Sequence, residues 1–425
     1  MRYPLYLVLM FISVTAFADL EQVSRSIAHN SKVDIWDGAL DQPIVEILQT
    51  DVANKKFIFL GEPDHYFKEK FGYQLLFIEE LLKLGHTHIL AEIGVADGRK
   101  VQAYLETGNE DRLNEAGVHG YRYGTPPHNS DRNFTIEVKR FYRQLRQLKE
   151  KYPNLTYGGY DLDMYPGTAY LKFDQLFSDE GLSRYFVNRT KATEIRDLIE
   201  ASKSIQSLLV RFQKIDQALS IINELTQEDI SNDLDLLDLK FYTKVFRDSL
   251  EFRHKVTDLE FSWDHYVWRE TKMFEITGSI LSRENSEAKY ILLGHNGHLM
   301  KTDEPNSEGF RYTSWDTIGA WITNQFPDSV YAIWSLIGKG EHSGHGCPND
   351  GRCRFNAIPG TLEAELINLS PEHPLFFTNN ETIKRHENSI ITVINGEFPA
   401  KGSYGKMADA FYFIPEVTDV NSSED

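Results

Sequence analysis

No G-x-S-x-G elbow occurs in the 425 residues, which removes the serine nucleophile of an α/β-hydrolase. There is also no H-E-x-x-H zinc helix, no Gly-rich P-loop and no dinucleotide fingerprint. Positive charge is scarce: 45 Lys and Arg stand against 63 Asp and Glu, a formal charge of −18. So acidic a surface argues against nucleic acid and anionic lipid as partners. Past the opening segment no run is long and apolar enough for a membrane span. Cysteine is limited to Cys347 and Cys353.

The opening segment explains how so few cysteines would be used. Arg2 precedes the apolar stretch Tyr6-Leu-Val-Leu-Met-Phe-Ile-Ser-Val14, and Ala16-Phe-Ala18 follows. A charged n-region, a short h-region and an A-x-A site make a secretory signal. Cleavage is expected after Ala18, giving a periplasmic or secreted protein of residues 19–425. An uncleaved anchor is the competing reading, and Asp19 and Glu21 in place of a basic flank speak against it. In an oxidising compartment Cys347 and Cys353, in a Gly- and Pro-bearing loop, are expected to form a local disulfide. A zinc site and a reactive thiol are the alternatives.

What the chain does contain is a βα rhythm. Apolar runs bounded by turn residues predict strands at 57–60, 88–93, 155–160, 290–293 and 330–336. Amphipathic stretches predict helices at 68–84, stopped by Gly85, and at about 97–106, 135–151 and 314–326. Such alternation implies a mostly parallel sheet flanked by helices, an α/β fold. From about 173 to 286 the sequence is helical in period and nearly free of Gly and Pro, a helical insertion between sheet strands. Its acidic cluster at 233–238 reads as a solvated helix face. More αβ material follows at 361–369, 375–377 and 390–394, and 417–425 reads as a frayed acidic tail.

Two of these strands end in chemistry-bearing motifs, Phe57-Ile-Phe-Leu-Gly-Glu-Pro-Asp-His65 and Tyr290-Ile-Leu-Leu-Gly-His-Asn-Gly-His298. Ligands of open α/β sheets bind beyond the carboxyl ends of strands. Glu62, His65, His295 and His298 stand there, and so do Glu92 and Asp161 on two further strands. A carboxylate in an apolar strand is costly unless paired. Any one of these residues is more often a cap or a satisfied structural group; six at four strand ends point to a site. Asn296-Gly297 favours a tight turn, and Asn296 and Asp161 are expected to contact substrate. With no nucleophile elbow, the set suits water activated by a His–carboxylate pair, with a cation or second histidine stabilising an oxyanion. It is equally a plausible divalent-metal shell, His65, Glu92, His295 and His298 being the ligands in that case.

The remaining candidates have plainer readings. His86 and His88 frame the start of a strand, the wrong end for a site. His342-Ser-Gly-His345 repeats the H-x-x-H spacing in a Gly-rich loop, and Tyr121-Arg-Tyr-Gly-Thr-Pro-Pro127 is a turn-rich aromatic loop suited to lining a pocket. Arg269-Glu270, on an aromatic-rich helical stretch, would alone be a surface ion pair.

In order along the chain come Gly61-Glu-Pro-Asp-His65, Ala91-Glu92, Arg269-Glu-Thr-Lys-Met273 and His295-Asn-Gly-His298. This ordered set, from about residue 57 to 340, resembles the erythromycin esterase-like family, with its G-E-x-x-H, strand-end Glu, R-(D/E)-x-x-M and H-N-x-H elements. The resemblance implies a hydrolase that opens a macrolide lactone without a cofactor, or with weak metal dependence, acting on a small-molecule ester. By position it makes His65 the general base and Glu92 its charge-balancing partner. Glu62, His295, His298 and Arg269 would shape the site and stabilise charge. Where the family has an arginine one or two helical turns after the first histidine, this chain has Tyr73 and Gln74, with Lys68 and Lys70 earlier. Other readings are a metal-dependent hydrolase or peptidase with a G-E-x-x-H turn, and a non-catalytic ligand-binding protein.

Overall fold

The computed structural model describes residues 38–116, 136–163, 166–259, 262–302, 317–342, 353–378, 389–394, 398–402 and 404–419. The signal segment, the 121–127 loop, His345 and Cys347 lie outside these residues.

As expected, the fold is α/β. The sheet contains β1 (Phe57–Glu62), β2 (His88–Gly94), β3 (Thr156–Asp161), β4 (Tyr290–His295), β5 (Val330–His342), β6 (Cys353–Asn356), β7 (Leu375–Thr378) and β10 (Ala410–Val417). Its order is β3-β2-β4-β1-β5-β10-β7, with β6 paired to β5. Neighbours from β3 to β10 are parallel, while β6 and β7 run antiparallel. A separate antiparallel pair is formed by β8 (Ser389–Ile394) and β9 (Phe398–Gly402).

The strands are apolar on both faces because helices cover both. Ile58, Leu60, Ile89, Ile291 and Leu293 pack on one side. Phe57, Phe59, Tyr290, Leu292 and Trp334 pack on the other. Before the sheet comes α1 (Gln42–Ile47). On the first face α2 (Glu69–Lys83) places Phe71, Leu75, Ile78 and Leu82 in the core, and Gly85, at φ +87°, lets the chain turn out of the helix. The helices α3 (Val95–Thr107) and α4 (Glu110–Asn114) come next, then α5 (Ile136–Lys151), which shares that core through Phe141 and Leu145.

The helical insertion runs from Pro166 to Leu281, earlier at its start than the sequence suggests: α6 (Pro166–Phe177), α7 (Asp179–Tyr185), α8 (Arg189–Ser204), α9 (Leu208–Glu224), α10 (Leu236–Asp258) and α11 (Trp263–Leu281). Pro166 opens it, as proline can at a first helical turn. Ser178, Asn188, Ser207, Asp235 and Ser262 cap successive helices by accepting a backbone N–H. A core of its own, including Phe173, Ile195, Ile215, Tyr242 and Phe246, holds these helices together. The acidic 233–238 cluster is not all solvated face: Asp238 accepts from Arg99 and Lys172 (2.8 Å each) and faces Arg283 at 3.4 Å. It staples α3, α6 and α10 together.

On the second face lie Met273 of α11, Ile318 and Ile322 of α12 (Ile318–Gln325), and Leu362 and Leu366 of α13 (Leu362–Leu369). The short α14 (Tyr404–Met407) leads into β10. The stretch after Val417 is anchored rather than frayed as far as Asp419. Asp419 forms a bridge with Phe67, Lys68 N donates to Thr418 O at 2.9 Å, and Thr418 N donates to Glu69 Oε2 at 2.9 Å.

Candidate active site

The two motifs that stand apart in sequence are direct neighbours in the sheet. Strands β1 and β4 pair in register, Phe57 to Tyr290 through Gly61 to Gly294 and Glu62 to His295. Both glycines permit a close approach. A Cβ at Gly61 would run into Asn296 Oδ1, and one at Gly294 into Tyr160 Oη and Glu92 Oε2. The carboxyl ends of β1 to β4 thus bring Glu62, Glu92, Asp161 and His295 together, all buried. His65 and His298 enter from the following turns, and Arg269 and Glu270 from α11.

His65 Nδ1 lies 2.7 Å from Glu62 Oε1, and its Nε2 faces Glu92 Oε1 at 3.8 Å. Its side chain is 20 % exposed, against 16 % for His298. Glu62 also accepts from Lys70 Nζ (2.8 Å, on Oε1) and Gln74 Nε2 (3.0 Å, on Oε2). Burial would raise its pKa, but the Lys70 charge and the His65 contact bring it down to about 2. Glu62 is therefore an anion that receives donors on both oxygens.

Glu92 gathers more partners. Its Oε1 is 3.0 Å from Arg269 Nη2 and 3.1 Å from His298 Nε2, and its Oε2 accepts the His295 backbone N–H at 2.7 Å. Burial opposes its charge, yet His298 and His65, then Arg269, hold it well below the usual carboxylate range. Arg269 is clamped on its other edge by Asp161, Nε being 3.0 and 3.2 Å from the two oxygens and Nη2 closer still. Asp161, expected against substrate, is spent on orienting this guanidinium.

His298 sits between two carboxylates. Nδ1 bonds Glu270 Oε1 and Nε2 bonds Glu92. Burial lowers its pKa, but Glu270 and Glu92 more than reverse this and raise it to about 10. With an acceptor on each nitrogen it is an imidazolium. The 3.5 Å approach of Arg269 Nη1 to its Nε2 is then a juxtaposition of two cations on Glu92, not a hydrogen bond. Among the described residues Nη1 has only this contact, which leaves its N–H groups for an incoming anion.

His295 differs. Its Nδ1 accepts Gly297 N–H at 3.0 Å, so the proton is on Nε2, which donates to Pro63 O at 2.8 Å. Burial, then the neighbouring His65 and His298, lower its pKa to about 4. It is a neutral strut between the two motif turns. The Asn296-Gly297 turn forms as expected, closed by His298 N donating to His295 O at 3.0 Å. Asn296 is fully buried and donates to Ser335 O at 2.9 Å, so it braces β5 and offers no surface to the cleft.

The alternative metal shell of His65, Glu92, His295 and His298 does not fit these contacts. Arg269 occupies the cation position beside Glu92, both nitrogens of His298 face carboxylates, and both of His295 are engaged by backbone. Among the described residues no three His, Cys, Asp or Glu side chains are arranged to hold a metal.

Sequence reading missed three contributors. Glu270 is buried, holding His298 and accepting Ile318 N at 3.2 Å at the start of α12. Lys70 and Gln74, on α2, hold Glu62. Only the Arg-Glu spacing within the family pattern hinted at Glu270. His342 closes β5.

Comparison with known proteins agrees with this architecture. Residues 82–388 match the family described as erythromycin esterase. Glu62 and His65 precede that stretch and are joined to it by the β1–β4 register. No curated protein is significantly similar to the sequence. Among solved structures, a succinoglycan biosynthesis protein is similar at TM-score 0.66 and 12 % identity, over 95 % of this chain and 98 % of that one. A Bacillus cereus protein is similar at 0.57 and 15 %, over 88 % and 92 %. A mutant of the erythromycin esterase EreC in its open conformation is similar at 0.60 and 16 %, over 90 % and 96 %. At these identities the likeness is one of fold. The family match spans most of the sequence, and on it the chain belongs to the erythromycin esterase family, hydrolases of ester bonds.

Proposed function

We propose that the protein is an exported hydrolase of a small-molecule carboxylic ester, a macrolide-type lactone by family pattern, which activates water with His65 and without a metal. One observation carries this reading: the other two histidines of the cluster cannot accept a proton. Both nitrogens of His298 face carboxylates, Glu270 and Glu92, which favour its doubly protonated form, and the accepting nitrogen of His295 is taken by Gly297 N–H. His65, fixed through Nδ1 by Glu62, presents Nε2 towards Glu92.

A water beside Nε2, on the Glu92 side, gives its proton to Nε2 as its oxygen bonds the carbonyl carbon. The new imidazolium is stabilised by Glu62, and the tetrahedral oxyanion by Arg269 Nη1. Collapse breaks the acyl C–O bond, and Nε2 returns the proton to the leaving alkoxide. Four carboxylates (Glu62, Glu92, Asp161, Glu270) face three cations (Lys70, Arg269, His298), and the proton gained by His65 offsets the charge of the oxyanion formed in the same step.

The test is a screen of esters, lactones and amides with the wild type and His65→Ala, with and without exhaustive chelation. Ester or lactone turnover that depends on His65 and survives chelation supports the reading. Turnover lost on chelation and regained with a divalent ion would transfer water activation to a metal. Tight binding without turnover would make the pocket a receptor site. Export is checked by sequencing the amino terminus of the secreted or periplasmic protein, expected at Asp19.

A further inference from the structure

Lys70 lies in the first turn of α2 with its side chain 3 % exposed, its Nζ 2.8 Å from Glu62 Oε1 and 4.9 Å from the centre of the Phe71 ring. An ammonium so enclosed is costly unless something is gained from its partner. Gln74, one turn further on, donates to the other oxygen of Glu62. Glu62, Lys70, Gln74, Glu92, Tyr142 and Tyr157 line a cavity of about 40 Å³. That is room for about one water and no substrate. Lys70 and Gln74 therefore act on the reaction only through Glu62.

A neutral histidine facing a carboxyl group has two arrangements. If the carboxyl is ionised, Nδ1–H donates to it and Nε2 keeps the lone pair. If the carboxyl is protonated, its O–H donates to Nδ1, the ring proton moves to Nε2, and the ring can no longer take a proton from a water at that nitrogen. A donor on each oxygen of Glu62, one of them an ammonium, disfavours the second arrangement, since a protonated carboxyl is the poorer acceptor for both. We infer that Lys70 and Gln74 are positioning residues that select the tautomer of the base, holding Glu62 as an acceptor so that His65 Nδ1 donates and Nε2 accepts. This rests on the reading of His65 as the base.

The direction of the pH effect follows. The working form has Glu62 ionised and His65 neutral. Removing the Lys70 charge makes the Glu62–His65 unit take up a proton at higher pH, whichever of the two holds it. The acid limb of kcat/KM then moves to higher pH.

The experiment combines NMR of histidine-labelled protein with pH–rate profiles for the wild type, Lys70→Met, Lys70→Arg and Gln74→Leu. In the wild type the His65 ring is expected as the Nδ1–H tautomer. In Lys70→Met the Nε2–H tautomer grows in, and the acid limb rises by about one pH unit, about a tenfold loss of kcat/KM on that limb, with KM little changed. Gln74→Leu gives a smaller shift of the same sign, and Lys70→Arg retains the wild-type tautomer. The inference is overturned if Lys70→Met is less stable while tautomer and limb stay unmoved. Should that variant not fold, the same null result for Gln74→Leu overturns it. The NMR arm needs no substrate, so a wild type that hydrolyses no ester would refute the esterase reading while the tautomer was still decided.

Discussion

His298, at the carboxyl end of the sheet, is held in the opposite state to the two histidines at the amino end. At the amino end, His86 Nε2 lies 3.0 Å from Lys55 O, and His88 Nδ1 lies 2.6 Å from Thr156 Oγ1. Burial lowers the pKa of both, His86 to about 4. At the carboxyl end burial acts in the same direction on His298, yet Glu270 and Glu92 carry it to about 10. Desolvation is common to all three, and the hydrogen-bonding partners differ: neutral oxygens for His86 and His88, carboxylates for His298. His298 is favoured as a cation here because the ends of β1, β2 and β3 and the helix α11 crowd acids onto one sheet end.

Four measurements break or sharpen that contrast. His65→Ala should lower kcat on any ester the protein hydrolyses by about two to four orders of magnitude, with the fold intact by circular dichroism. An unchanged rate would mean that the carboxyl end is as inert as the amino end. Arg269→Ala should cost about a hundredfold in kcat, as loss of an oxyanion donor does. Arg269→Lys should recover only part, because an ammonium cannot fork between Asp161 and Glu92. A normal kcat for the alanine variant would reduce Arg269 to a structural ion pair.

The third measurement is thermal unfolding against pH. His298 has a folded pKa raised from 6.5 to about 10. The stability it contributes is fully present below about 6.5 and is lost as pH climbs towards 10. The wild-type Tm should fall across that window. Glu270→Gln should lower Tm at pH 6 by the equivalent of roughly 2 kcal/mol and flatten the fall. A curve parallel to the wild type would show that Glu270 is not what charges His298. Smallest of all, His88→Ala should cost about 1 kcal/mol of stability through its lost bond to Thr156 and leave kcat unchanged. A loss of turnover there would erase the difference between the ends.

The sheet and half of the site were legible because polar residues ending several apolar strands together are not explained as separate caps. Glu62, Glu92 and His295 stood out on that ground, and the two glycines marked where strands approach closely. Helices hide the same information. Lys70 and Glu270 look like any charged residue on an amphipathic surface, and only the packing of α2 and α11 against the sheet end shows them buried. Asp161 was visible, but its clamp on Arg269 was not, because that partner lies on α11, far along the chain. Asn296 looked suited to substrate because its turn is at the site, though its side chain points into β5. The acidity after Val417 suggested solvent, but a backbone bridge to Phe67 overrides composition.

That bridge sets a timetable for the protein's manufacture. The segment bearing His65 is held at Phe67, Lys68 and Glu69 by residues 418 and 419, made some 350 positions later. A ribosome that has finished the first motif, the insertion and the second motif has supplied every side chain of the candidate site. It has not yet supplied the clasp. The loop carrying His65 therefore reaches its final seat only when nearly the whole chain is available, and a product cut short before Thr418 would hold every side chain of the cluster with one of them still at large.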